Sequence, residues 1–164
     1  MMLILEDTRQ QAKKHESKHK WFAEHGVRVE RCRLYVGDYT LPTDQSICID
    51  TKADLQELAG NVCQQHERFR AELIRAQEAG IQLVILCEHG GDIKSLEDVY
   101  FWQNPRRRTS PGAISGQRLF KIMNTMQEKY GVRFEFCDKR QTGRRIVEIL
   151  AHDEGGNQTA IQHD

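Results

Sequence analysis

An α/β domain, a mixed sheet covered by helices, is the fold this sequence predicts, and three observations carry it. Runs with the two-residue period of strands alternate with runs at helical spacing along most of the chain. The stretch "IQLVILCEH" is continuously apolar, as a strand buried on both faces must be. Two further strand-like runs, "VRVERCRLYV" and "SICIDTK", flank a turn at "TLPTDQ" and read as an antiparallel hairpin, so the sheet is not purely parallel.

The elements follow in order. "LILED" is a short strand that ends at an acid. "QQAKKHESKHKWFAEHG" is a helix stopped by Gly26, and the hairpin comes next. From Ala53 the period changes: Leu55, Leu58, Ala59, Val62, His66, Phe69 and Leu73 form an amphipathic stripe, with Gly60-Asn61 as the expected bend or break. The buried strand is followed by the longest irregular stretch, Gly90 to Gly116, with a helical turn around Ser95 to Tyr100. "GQRLFKIMNTMQEKYG" is a helix closed by Gly131, "VRFEFC" a strand and "TGRRIVEILAHD" the last helix. The tail, residues 153–164, has little to bury and is expected to be disordered.

With 164 residues and 38% hydrophobic content, one domain over residues 1–152 can bury a proper core. Twenty-four basic residues balance 24 acidic ones, so any attraction to a polyanion must come from local clusters. No apolar run is long enough to cross a bilayer, and the apolar start "MMLIL" is too short for a signal-peptide core. A soluble cytoplasmic protein without a membrane partner is the expectation. Five cysteines with no C-x-x-C pair argue against a disulfide framework. "CQQH" offers a zinc ion only two of the four usual ligands.

Three acids fall where strands end or turn: Asp7, Asp38 and Asp50. If the first strand neighbours the hairpin, their carboxylates converge at one edge of the sheet. Clustered carboxylates repel and call for a cation, and oxygen ligands alone suit Mg²⁺ or Mn²⁺. Lys52 lies two residues after Asp50, on the same strand face, where an ammonium can contact a phosphate or help activate water.

With these residues in place the chain resembles the nuclease domain of the XPF family of structure-specific endonucleases. "LILEDTRQ", "VGDYTL" and "SICIDTK" are similar to that family's D-x-R-E, G-D and E-R-K motifs, a form of the PD-(D/E)-x-K pattern. The similarity runs from about residue 2 to about residue 151, and the chain looks like the compact single-domain versions of bacteria and phages. The resemblance implies a restriction-endonuclease-like fold and a metal-dependent DNA endonuclease acting on branched or double-stranded DNA, in repair or recombination.

It also implies roles. Asp38 and Asp50 bind Mg²⁺ or Mn²⁺, Thr51 offers the metal its backbone carbonyl, Lys52 positions or activates the attacking water, and Asp7 supports the metal site. Gln10, Thr51 and Gln56 stand where the family has glutamate, arginine and aspartate. Arg106, Arg107 and Arg108 in "PRRR", and Arg144 and Arg145 in "KRQTGRR", become candidates for phosphate contact. Tyr100, Phe101 and Trp102 could stack on unpaired bases. The expected partners are DNA and either a second copy of the chain or a protein bearing helix-hairpin-helix modules. The alternative is a degenerate pseudonuclease that binds DNA or scaffolds a partner without cutting.

Overall fold

Six strands form one mixed sheet in the order β2-β1-β3-β4-β5-β6 in a computed structural model, which describes residues 2–11 and 15–160, with side chains through Ala151. The strands are β1 (Met2–Asp7), β2 (Val27–Cys32), β3 (Tyr39–Thr40), β4 (Ile47–Lys52), β5 (Gln82–Cys87) and β6 (Arg133–Phe136). The helices are α1 (Glu16–Glu24), α2 (Leu55–Cys63), α3 (His66–Glu78), α4 (Leu96–Val99), α5 (Gly116–Tyr130) and α6 (Thr142–Ala160). Two 3₁₀ turns, Pro105–Arg108 and Lys139–Gln141, precede α5 and α6.

The expected hairpin is redrawn. β2 runs parallel to β1 at the sheet edge, in register from Met2 opposite Val27 to Asp7 opposite Cys32. The antiparallel partner of β4 is the two-residue β3, through a single pair, Tyr39 opposite Ile49. Residues 33–38 leave the sheet instead of continuing β2, and Gly37 makes the turn. Its φ is +73°, and a Cβ there would sit 3.0 Å from the Ile49 carbonyl oxygen, so only glycine fits without strain.

Each face of the sheet has its own core. Cys48, Leu83, Ile85 and Cys87 pack against Leu55, Leu58, Phe69, Leu73, Leu119 and Met123 of α2, α3 and α5. Ile4, Ile47, Ile49, Val84 and Leu86 pack against Phe22 of α1 and Ile146, Ile149 and Leu150 of α6. β4 and β5 feed both cores, which explains the unbroken apolar run of β5.

The long amphipathic stripe is two helices, and the break falls at Gln64 and Gln65 while Gly60 stays inside α2. Asp54 caps α2 by accepting from the Glu57 N–H. α5 ends as expected, with Gly131 in the left-handed region at φ 68°. The backbone of α6 continues through Ala160, and residues 161–164 of the expected tail lie outside the described residues. No helix among the described residues is long and apolar enough to cross a membrane.

Candidate active site

The end of β4 and the turn before β3 bring the central residues together. Asp50 and Lys52 share the β4 face that looks toward α2 and α3, with Lys52 Nζ 3.3 Å from Asp50 Oδ2 and 5.7 Å from the centre of the Phe69 ring. Asp38 arrives from the turn after Gly37. Its backbone N–H donates to Ile49 O at 2.7 Å, and its Oδ2 accepts from the Thr51 N–H at 2.9 Å. The Thr51 hydroxyl donates to the same oxygen at 3.1 Å. Strand alternation turns the Thr51 side chain away from the face of Asp50 and Lys52, so only its carbonyl was expected at the site and this contact is a correction. The strand alternation holds, but Asp38 reaches over from the neighbouring element to meet the hydroxyl.

The two carboxylates are buried and close. Burial above all, then the Asp50 charge and a hydrogen bond shared with Asp50, hold the Asp38 pKa well above the ordinary carboxylate range. Asp50 Oδ2 is buried and accepts no hydrogen bond, despite the nearby ammonium. Burial acts to lower the Lys52 pKa, but the charges of Asp50, Glu72 and Glu57 outweigh it and the net shift is upward.

Asp7 reaches the same cleft, but its carboxylate is engaged elsewhere. Oδ2 accepts from Arg9 Nε at 2.6 Å and Oδ1 from the Leu34 N–H at 3.0 Å, while its own N–H donates to Asp38 O at 2.8 Å. It therefore anchors the loop that carries Asp38. The expected convergence of three carboxylates is a pair plus this buttress. Among the described residues no group of three or more His, Cys, Asp or Glu side chains is placed to hold a metal alone.

Two clefts open onto Asp38, Asp50 and Lys52. One, of about 450 Å³, is walled by Glu57 and Asn61 of α2, by Gln65 at the helix break and by Arg68, Glu72 and Arg75 of α3, with Arg9 at its edge. The other, of about 550 Å³, lies on the α1 side and is lined by Gln10, His15, Lys18, Glu88 and Lys139. Lys18 and Glu88 form a sealed ion pair at 2.8 Å, each side chain 5% exposed.

Glu72 was missed in the sequence. Its Oε1 accepts from the Gly37 N–H at 3.3 Å, and its pKa is pushed up to about 7, by burial first and then by the Asp50 charge. The signal was available: Glu72 lies three residues after Phe69 and four before Ala76, on the inner edge of the α3 stripe. Lys18 has a similar signature, four residues before the buried Phe22.

The expected basic contacts divide. Arg106, Arg107 and Arg108 form an exposed 3₁₀ turn capped by Asn104, whose Oδ1 accepts from the Arg106 N–H at 3.0 Å. Arg144 is exposed, whereas Arg145 is committed to Glu135 and Glu148 and is not a free phosphate ligand. Of the aromatic trio, Trp102 is buried edge-on against His89, Tyr100 packs on Phe120, and Phe101 is 74% exposed.

The profile of the ERCC4 domain matches residues 7–149, a span that contains every site residue above. The chain belongs to the ERCC4 domain family. As an ERCC4 domain it is an XPF-type nuclease domain, with the restriction-endonuclease-like fold. Its architecture is similar to XPF from Aeropyrum pernix at 22% identity and a TM-score of 0.65, covering 98% of this chain and 68% of that one. A second structure, XPF from Aeropyrum pernix in complex with DNA, aligns at 20% identity and a TM-score of 0.66, covering 95% and 66%. This ERCC4 chain thus spans about two thirds of the length of those chains. No curated protein sequence matches it significantly.

Proposed function

We propose that this ERCC4 domain is a divalent-cation-dependent DNA endonuclease that hydrolyses a phosphodiester bond in branched or double-stranded DNA. The observation that carries the reading is the buried Asp38–Asp50 pair beside Lys52 at the meeting point of two clefts. A hard cation such as Mg²⁺ needs only one or two carboxylates when waters and substrate phosphate supply the rest, and the orphaned Asp50 Oδ2 fits that demand. Asp38 and Asp50 would hold Mg²⁺ or Mn²⁺, with the Thr51 carbonyl beside them. When bound, the ion supplies charge stabilisation at the phosphate and an acidified water.

The remaining work falls to the chain. Lys52 presents an ammonium, with three donors on a tethered stem, to the phosphate oxygens or the attacking water. Asp7 and Gly37 fix the loop that aims Asp38. Arg68 and Arg75 at the rim of the first cleft offset the charge of flanking phosphates. Binding by shape and backbone accords with the relative solved in complex with DNA. A second copy or a helix-hairpin-helix partner would supply further grip on the duplex.

The binding-only alternative draws on two glutamines. Gln10 Oε1 accepts from the Tyr39 hydroxyl at 3.1 Å, and Gln56 Nε2 donates to Asn104 Oδ1 at 2.5 Å, so both serve as structural braces. One experiment separates the readings: a labelled panel of flap, fork, junction and linear DNAs incubated with Mg²⁺, Mn²⁺ or excess EDTA. Metal-dependent cutting is expected. Tight binding without any cutting would establish the scaffold instead.

A further inference from the structure

Beyond the cut site, we infer that the cavity between α2, the arginine turn and the start of α5 is a second backbone-phosphate site for DNA. The inference rests on the DNA reading above. The cavity measures about 550 Å³, and Arg106 and Arg118 project their side chains along its wall. No Asp or Glu lines it, although the chain carries as many acids as bases, and the neighbouring catalytic cleft is rich in carboxylates. Neither guanidinium belongs to an ion pair formed among the described residues. Two guanidinium forks lining one concavity offer the chemistry that binds a phosphate, and Ser110 and Gln64 add neutral donors.

The site is built, because its outer wall is pinned. Asn104 is 6% exposed and makes three hydrogen bonds: it accepts from Gln56 and the Arg106 N–H, and it donates to Ile114 O at 2.8 Å. Gln56 lies in the first turn of α2, four residues after Lys52, so this brace ties the arginine turn to the helix that follows the catalytic strand. Arg107 and Arg108 lie outside the cavity, so the sequence motif and the site share only Arg106.

Its distance from the chemistry is set by one helix. α2 turns Glu57 and Asn61 to the catalytic cleft and Gln56 and Gly60 to the second cavity, and at the break that follows Gln65 lines the first and Gln64 the second. On a helix about 10–12 Å across, neighbouring rows about 100° apart lie roughly 8–9 Å from one another. Phosphates of one strand advance about 3.4 Å per nucleotide along the duplex axis. The second site therefore takes a phosphate about two or three nucleotides from the scissile one.

The test uses the full chain without metal, bound to a branched DNA that the wild type cuts. Arg106→Ala and Arg118→Ala should each lower the slope of log affinity against log salt by about 0.7–0.9, and Arg118→Lys should retain most of it. Both arginines are exposed, and thermal melts of the variants confirm folding. A single neutral methylphosphonate about two or three nucleotides from the cut should weaken wild-type binding but leave the double variant unaffected. An unchanged salt slope, or equal methylphosphonate effects on both proteins, overturns the site while cutting by the wild type preserves the nuclease reading. Competition by inorganic phosphate with no methylphosphonate effect would make it a free-anion site and also overturn it. A wild type that neither binds nor cuts DNA removes both readings together.

Discussion

Thr51 meets Asp38 twice, through its backbone N–H and through its hydroxyl, both at Oδ2. The carboxylate thereby takes the position that a carbonyl of a longer β3 would occupy, and completes the β3–β4 ladder with a side chain. Removing the hydroxyl leaves the N–H contact in place. Thr51→Ala should therefore cost about 1 kcal/mol of stability and reduce cleavage several-fold, with Thr51→Ser close to wild type. Urea unfolding and single-turnover rates check this, and an Ala variant indistinguishable from wild type in both would show the hydroxyl contact to be idle.

The same double role governs how the acids should be tested. Asp38→Asn keeps an acceptor for the Thr51 N–H but loses the charge, so it should fold and bind DNA while cutting orders of magnitude more slowly. Asp50→Asn and Lys52→Ala should do likewise. Calorimetry with Mn²⁺ should show weakened binding for the two acid variants. Undiminished cutting by any of the three would reject the assigned centre.

Glu72 makes the metal-free protein sensitive to pH. Its pKa rises from the ordinary glutamate value to about 7 on folding, so between about pH 4.5 and 7 the native state holds a proton that the unfolded chain has released. Stability from this group is full below the unfolded pKa and is lost as pH rises through 7. Glu72→Gln should melt higher than wild type at pH 8 and nearly level with it at pH 4.5. Parallel melting curves across that range would contradict the assignment.

Asn104 pins the long loop through three side-chain hydrogen bonds. Asn104→Ala strands the Gln56 amide and the Ile114 carbonyl and removes the cap of the arginine turn, at a cost of about 1–3 kcal/mol. Proteolysis should then begin between residues 100 and 115 while the Mn²⁺ affinity of the Asp38–Asp50 pair is kept. Loss of metal affinity in parallel would mean that the loop and the centre fold as one unit.

Much of this was legible in the sequence, for physical reasons that can be named. Asp50 and Lys52 were found because strand alternation fixes which residues share a face, and β5 because a doubly covered strand must be apolar throughout. The partner of β4 was not legible. "VRVERCRLYV" has the right alternation, but register belongs to tertiary pairing, and Gly37 diverts the chain so that two residues replace a full strand. The helix break at Gln64 and Gln65 was masked by Gly60, which α2 absorbs. Arg145 looked free because its partners Glu135 and Glu148 come from β6 and the next turn of α6. Arg118 was hidden for a related reason: a charge on an amphipathic helix acquires its meaning only from the element opposite.

The sealed pair of Lys18 and Glu88 has a bearing on descent. Losing either partner alone strands a buried charge, at about 3–5 kcal/mol, whereas exchanging both for well-packed apolar residues is close to neutral. Single substitutions at these positions thus lead through a valley that a marginally stable domain does not survive. Across relatives that share this packing of α1 on the end of β5, positions 18 and 88 should be inherited as a unit, kept together or replaced together.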